Sequence, residues 1–138
     1  MNDVFLLGRV LLGGFFVYSG ANHFMHSAAM AEYAAAKGVP MPEAAVLVAG
    51  LLILAGGLSI ILGFLPLVGI ACVALFLAGV TPVMHNFWAA PDAATRISDL
   101  TNFAKNVALL GATLALCGVP RPWPYSIEQQ QRSKVPEF

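Results

Sequence analysis

The chain has 138 residues, of which 59% are hydrophobic and only 10% are charged, and its mean hydropathy is +0.79. Charged residues make up about a quarter of an ordinary soluble domain, so this composition excludes a soluble globular protein and favours a membrane protein. The formal net charge is zero and there is no basic run, which argues against a nucleic-acid partner.

Four apolar segments predict membrane spans, since a helix that crosses the roughly 30 Å hydrocarbon layer needs about 20 mainly apolar residues. They lie at residues 4–24, 44–64, 67–84 and 103–119, and a tail follows at residues 121–138. No basic residue precedes the first apolar run, which continues beyond the length of a signal-peptide core. We therefore interpret it as a retained span. The third and fourth spans are short for a full crossing.

The connections between these spans differ in length. A tight turn at residues 63–66 joins spans two and three, whereas the connections on either side of that hairpin are long. Because the number of spans is even, both long connections are expected at one face of the membrane and both termini at the other. The expected fold is an all-α four-transmembrane-helix bundle, and the similar span ends "NHFMH" and "MHNFW" suggest two parallel helical hairpins.

Both long connections are expected to contain short helical segments. In the first, Ser27 can cap an alanine-rich helix that Gly38 ends, and Pro42 then begins span two at a position where its missing N–H is harmless. In the second, Asp92 and Asp99 can each begin a helical turn.

Basic residues near the span ends predict the orientation. The terminal face has four of them and the looped face has three: Arg9, Arg121, Arg132 and Lys134 against Lys37, Arg96 and Lys105. This small excess favours cytoplasmic termini in an inner membrane. In the tail, Trp123 and Tyr125 are expected to be interfacial anchors.

Small residues predict how the helices pack, because lipid provides no hydrophobic force between spans. Three pairs lie seven positions apart and so share a helix face: Gly13 with Gly20, Gly50 with Gly57, and Cys72 with Gly79. We assign these residues to helix packing rather than to ligand binding.

Polar side chains concentrate where the spans meet the two long connections. The candidate ligand-binding residues there are Asn22, His23, His85, Asn86, Trp88, Lys105 and Asn106, to which we add Arg9, about 20 Å away at 1.5 Å per residue. Ionisable groups within spans are functional candidates. The alternative is that the histidines and Lys105 only meet lipid headgroups, and that Arg9 anchors a lipid phosphate.

The sequence lacks the patterns of a self-sufficient enzyme or a metal site. No nucleophile–base–acid trio is recognisable, the three histidines have no metal-ligand spacing, and Cys72 and Cys117 form no C-x-x-C motif. We therefore predict no metal, and the catalytic residues, if any exist, stay unknown.

Several ordered segments resemble the DoxX-like family of small four-helix membrane proteins. The matching segments are "LLGRVLLGGFFVYSGANHF", "KGVPMPEAAVLVAGLLILAGGLSIILGF", and "HNFW" followed by "NFAKNVALLGATLAL", and they cover most of residues 6–116. The resemblance implies a four-helix inner-membrane protein. Some members are described as subunits of a thiosulfate:quinone oxidoreductase or as partners in thiol-redox complexes.

One departure from that family limits what the resemblance implies. Many relatives carry an acidic residue in span two shortly before the paired glycines, where this chain has Ile53 before Gly56 and Gly57. A proton or quinone role that depends on that carboxylate is therefore not implied here.

The leading hypothesis is an accessory component of a membrane redox system whose polar pocket binds a small amphiphile such as a quinone. His23, His85 and Lys105 would donate hydrogen bonds to a carbonyl. Asn22 and Asn106 would orient these donors, and Phe87 and Trp88 would flank the entrance. Expected partners are the lipid bilayer, a soluble or membrane redox protein and further copies of the chain.

Two alternatives stay open. One is a membrane subunit of a sulfur-compound:quinone oxidoreductase, whose redox centre a partner subunit would supply. The other is a transporter-like element that works as an oligomer, since four spans leave little room for a private pathway.

Overall fold

The computed structural model describes residues 1–134, and helices dominate this part of the chain. They are α1 (Asn2–Met25), α2 (Ser27–Ala36), α3 (Pro42–Leu62), α4 (Pro66–Met84), α5 (Ala93–Ala115) and α6 (Ile127–Arg132), with single 3₁₀ turns at Phe87–Ala89 and Leu116–Gly118. Four of them, α1, α3, α4 and α5, are long and apolar enough to cross a membrane. The expected all-α class with four membrane-spanning helices is confirmed. Residues 135–138 of the tail lie outside the described part.

The four long helices pack in the order α1–α3–α4–α5. Helix α3 packs most extensively against α1 and also contacts α2 and α4, while α5 packs against α4. Helices α1 and α5 are thus the two edges of an open arc. We call the end that carries the α1–α3 and α4–α5 connections the looped end, and the end that carries both termini and the α3–α4 turn the terminal end.

Glycines form the seam between α1 and α3. A methyl group added at Gly57 would lie 2.6 Å from the carbonyl oxygen of Gly13, and one added at Gly13 would lie 2.7 Å from that of Gly57. Towards the looped end, Gly20 lies against Leu54 and Gly50 against His23. The packing role predicted for these four glycines is confirmed, since no larger residue fits without separating the helices.

The third predicted pair, Cys72 with Gly79, does not form such a seam. A methyl group at Gly79 would meet no atom within 4 Å. The contact between α3 and α4 instead uses Gly56, where an added methyl group would lie 2.9 Å from the carbonyl oxygen of Gly69. Equal spacing on one helix does not reveal which face meets a neighbour, and this prediction was wrong for that reason.

Helix α5 begins at Ala93 rather than near Phe103, so the fourth spanning helix is not short. Asp92 is its N-cap: the carboxylate accepts hydrogen bonds from the backbone N–H and the hydroxyl of Thr95, both at 2.8 Å. The backbone hydrogen bond, followed by the hydroxyl one, holds the pKa of Asp92 below its ordinary value. Asp99 lies inside the helix and starts no turn. A search for apolar residues misses this first part of α5 because its turns mix polar and apolar residues.

The first long connection follows its sequence signals in part. Gly38, at φ +78°, directs the chain away from α2, and Pro42 is at the first position of α3. Ser27 begins α2, but the N-cap is His26 and no side chain caps this helix. The predicted cap was wrong, because the chain leaves α1 with almost no break.

Candidate functional site

A cleft of about 840 Å³ opens on the inner side of the arc, towards the looped end. Helices α1, α3 and α4 form its walls, and side chains of α2 and α5 complete it. Most of the wall is apolar, with Phe16, Leu52, Phe76 and Leu77 among its members. Volumes of about 300–1,000 Å³ with mainly apolar walls are typical of small-molecule sites.

Four side chains that the sequence singled out line this one cleft, and they come from two helices and the end of a third. His23 is on α1, His85 follows α4, and Lys105 and Asn106 are on α5. Residues more than eighty positions apart in the sequence therefore border one cavity. The polar groups give an otherwise apolar cleft a polar portion, which is the arrangement that an amphiphile requires.

Asn106 is the most enclosed of these polar groups. The residue is 9% exposed and lines the cleft. Its side-chain amide has N–H donors and an oxygen acceptor. A ligand in the cleft can therefore hydrogen-bond to Asn106.

Lys105 lies at the exposed margin of the cleft. Its ammonium donates a hydrogen bond to Oδ1 of Asn102 at 2.9 Å, and the amide of Asn102 in turn donates to the carbonyl of Ser98 at 3.1 Å. Asn102 therefore holds the ammonium of Lys105 at this margin. Two of the three ammonium protons remain free for other acceptors.

His23 is fixed by its own helix. Its Nδ1 lies 2.8 Å from the carbonyl oxygen of Ser19, and its ring meets Phe76 edge to face with the centroids 5.9 Å apart. A carbonyl oxygen only accepts hydrogen bonds, so the proton of the neutral ring is on Nδ1. This leaves Nε2 without a proton in the neutral form.

His85 lies beside a group of charges that the sequence analysis did not assemble. Its buried Nδ1 is 3.6 Å from Oδ1 of Asp99, whose side chain is 7% exposed. The ammonium of Lys37 approaches Oδ2 of the same carboxylate at 3.3 Å and donates to Oδ1 of Asn86 at 3.1 Å. We call Lys37, His85, Asn86 and Asp99 the polar cluster.

The polar cluster joins the two long connections, because Lys37 follows α2 whereas Asn86 and Asp99 belong to the second connection and to α5. One signal was available in the sequence: Asp99 and Asn106 are seven positions apart on α5 and share a face. The partner Lys37, 62 positions away, could not be identified from spacing.

Arg9 lies at the terminal end and takes no part in the cleft. Its side chain is 1% exposed, and its guanidinium donates to the carbonyls of Ile61 at 3.0 Å, Pro124 at 3.1 Å and Tyr125 at 3.4 Å. The expectation that Arg9 anchors a lipid phosphate is wrong, because its side chain is enclosed and both of its terminal nitrogens donate to carbonyl oxygens inside the protein. Because Arg9 lies at the terminal end, its position does not support its prediction as a ligand-binding residue.

The tail packs under the terminal end. Trp123 is 1% exposed, with its ring centroid 5.5 Å from the Arg9 guanidinium and 5.4 Å from the centroid of the Phe5 ring. It is a core residue and not the interfacial anchor that the sequence suggested. Tyr125 is exposed, and its hydroxyl donates to Asp3 at 3.0 Å, a hydrogen bond that raises the pKa of Tyr125.

The remaining candidates do not border the cleft. Asn22 is half-buried on α1, and Asn86 belongs to the polar cluster. Trp88 is exposed and packs edge to face with Phe87 and Phe103, at 5.1 Å and 6.0 Å between centroids. The aromatic pair predicted at the entrance therefore covers the start of α5 instead. No group of three metal-ligating side chains is assembled within residues 1–134.

Comparison with known proteins identifies one family. A family model described as DoxX matches residues 4–86, which is more than half of the chain and covers α2, α3, α4 and all of α1 except its first two residues. No curated protein and no solved structure matches the chain.

Proposed function

The chain belongs to the DoxX family, and we propose that it binds a small amphiphile of the quinone class in its cleft, as an accessory component of a membrane redox system. The observation that carries this proposal is the cleft of about 840 Å³ whose walls are mainly apolar and which four polar side chains from α1, α5 and the end of α4 also line. Such a cavity matches a ligand with an apolar body and a polar head group.

The apolar part of the ligand would lie along α1, α3 and α4. Several cleft residues are exposed on the lipid-facing surface, among them Phe15, Val48 and Leu75. In a bilayer these positions face acyl chains rather than water. A ligand dissolved in the membrane could therefore enter sideways without crossing an aqueous phase.

The polar head would lie against His23, His85, Lys105 and Asn106. Lys105 and the Asn106 amide are permanent hydrogen-bond donors, and ring carbonyl oxygens are acceptors of matching type. Asn106 contributes most to selectivity, because it is the most enclosed of these polar residues. The looped end carries this head-group site, and with cytoplasmic termini it would lie near the outer face of an inner membrane.

The test is saturable binding of a short-chain benzoquinone to the protein in nanodiscs, followed by equilibrium dialysis. Asn106→Leu, which keeps the volume but removes the amide, is expected to weaken binding about tenfold. Lys105→Met is expected to weaken it less, because this side chain is exposed. The matched control is Arg96→Met, an exposed cation on α5 that does not line the cleft.

Binding that is absent in the unmodified protein would overturn the proposal. Binding that Asn106→Leu and Arg96→Met affect equally would place the ligand elsewhere. The sulfur-compound:quinone oxidoreductase subunit and the oligomeric transporter remain predictions, since no feature of residues 1–134 favours either.

A further inference from the structure

The two cleft histidines share a property that the sequence does not reveal: in each ring Nδ1 is directed at an acceptor. For His23 this acceptor is the carbonyl oxygen of Ser19, at 2.8 Å. For His85 it is the carboxylate of Asp99, at 3.6 Å, and the enclosed Nδ1 has no hydrogen-bond partner in the described residues. Each acceptor favours the tautomer whose single proton is on Nδ1.

The ion pair with Lys37 strengthens this preference at His85. The ammonium lies 3.3 Å from Oδ2 of Asp99, which stabilises the carboxylate in its charged form. A charged carboxylate accepts hydrogen bonds and donates none. Asp99 and Lys37 are therefore positioning residues for the His85 ring.

The consequence concerns Nε2, the other nitrogen of each ring. Both rings line the cleft, and neither Nε2 has a hydrogen-bond partner within residues 1–134. In the neutral histidine Nε2 carries no proton and only accepts; in the protonated histidine it only donates. The neutral cleft thus offers two acceptors beside the permanent donors Lys105 and Asn106.

We propose that His23 and His85 make the cleft selective for a hydroxyl head group in their neutral form and for a carbonyl head group in their protonated form. The proposal rests on the proposed function and specifies its ligand as the hydroquinone at neutral pH. It also reverses an expectation drawn from the sequence, in which both histidines donate to a carbonyl. At neutral pH a quinone can accept hydrogen bonds only from Lys105 and Asn106, whereas a hydroquinone can also donate to the two unprotonated Nε2 atoms.

Several other charged or titratable groups lie near these rings. Lys105 and Asp99 approach His85 from α5, and Lys37 approaches it from the end of α2. His26 is exposed at the rim of the cleft and is the third histidine of the chain. Histidine is the side chain that changes charge between about pH 5 and pH 8, so the variants at His23 and His85 separate their contribution from that of His26.

The experiment uses a benzoquinone with one short isoprenoid chain and its hydroquinone, two probes of the same shape that differ in acceptor and donor character. Dissociation constants are measured in nanodiscs at about pH 8 and about pH 5, which span the range of histidine titration. At the higher pH the hydroquinone is expected to bind about tenfold more tightly than the quinone, and at the lower pH this preference is lost or reversed.

Histidine-to-glutamine variants assign the effect, because the glutamine amide retains hydrogen-bonding capacity but does not titrate. His23→Gln and His85→Gln are each expected to reduce the pH dependence of the preference, and the double variant to abolish it. If His85→Gln does not fold, His23→Gln and the pH dependence of the unmodified protein still decide the matter.

Two results would overturn the inference while leaving the proposed function intact: equal preference at both pH values, or a pH dependence that the double variant retains. Absence of saturable binding for both probes would contradict the proposed function itself, and this inference with it.

Discussion

The two ends of the helix bundle both hold polar groups at membrane depth, but they use them in opposite ways. At the terminal end, the two terminal nitrogens of Arg9 donate to three carbonyl oxygens and its guanidinium lies against two aromatic rings, so its charge is compensated within the chain. Only its Nε is without a partner in the described residues. At the looped end, Asn106 and both cleft imidazoles retain unused capacity. A charged residue inside a span is thus a poor guide to function until its partners are known.

The same difference appears in the aromatic residues. Trp123 is enclosed beside Phe5 at the terminal end, whereas Trp88 is exposed near the looped end. The tail that carries Trp123 closes the terminal end: Glu128 accepts a hydrogen bond from the backbone N–H of Leu65, at 3.1 Å, in the α3–α4 turn. The looped end carries the two long connections and contains the cleft, and it is the end at which the proposed ligand would bind.

Removal of the Arg9 charge is expected to have the largest effect, because it disrupts the closed end. Arg9→Met leaves three carbonyl groups without their donor and should lower the free energy of unfolding by about 3 kcal/mol. Hydrogen exchange in residues 120–134 should accelerate, since these residues are released from the bundle. The measurements are reversible unfolding in mixed micelles and exchange by mass spectrometry.

The control for that substitution is Arg121→Met, which removes an exposed arginine at the same end. It is expected to change the free energy of unfolding by less than about 0.5 kcal/mol. If both variants lose the same stability, the terminal end is not held by Arg9 and the contrast between the two ends disappears.

A methyl group in the α1–α3 seam should have the next largest effect, because the seam holds the two ends in register. Gly57→Ala places a carbon 2.6 Å from the carbonyl oxygen of Gly13 and should destabilise the protein by about 2 kcal/mol. Gly111→Ala on α5 is the control, since a methyl group there meets nothing within 4 Å. It should be neutral or stabilise by up to about 1 kcal/mol.

Measurement of both variants by the same unfolding assay decides whether close contact or helix propensity controls the outcome. A stable Gly57→Ala variant would mean that α1 and α3 can separate at little cost. The cleft would then not be a fixed cavity, and the contrast between the closed terminal end and the looped end with its cleft would no longer hold.

The smallest of these effects is expected for the polar cluster, because Lys37 keeps 19% of its side chain exposed and water weakens the ion pair. A double-mutant cycle with Lys37→Met and Asp99→Asn should give a coupling energy of about 1 kcal/mol. Strict additivity in the cycle would show that the two connections are not joined through this pair.

The single variant Lys105→Met, which removes an exposed cation of the cleft, should leave the free energy of unfolding nearly unchanged in the same assay.

Much of the fold could be predicted from the sequence because membrane spans have a length and a composition that the bilayer dictates. The four spans, the turn at residues 63–66 and the glycine seam of α1 with α3 all follow from this. The start of α5 did not, because its first turns mix polar and apolar residues and only the cap at Asp92 marks its beginning.

The site was predictable in its location but not in its chemistry. His23, His85, Lys105 and Asn106 were identified from their position at span ends, and all four border the cleft. The roles of Lys37 and Asp99 depend on a contact across 62 positions, and that of Arg9 on carbonyl groups up to 116 positions away. Backbone oxygens are present at every residue, so no sequence pattern distinguishes the ones that a guanidinium will select.

The pairing of Arg9 with Pro124 and Tyr125 has a consequence for biosynthesis. The arginine leaves the ribosome in the first span, and its acceptors follow 115 and 116 residues later, after all four spans. Until those residues are made, the guanidinium depends on lipid headgroups or on the insertion machinery for solvation. A product truncated before Trp123 would lack the Pro124 and Tyr125 acceptors and would carry an incompletely compensated charge in its first span.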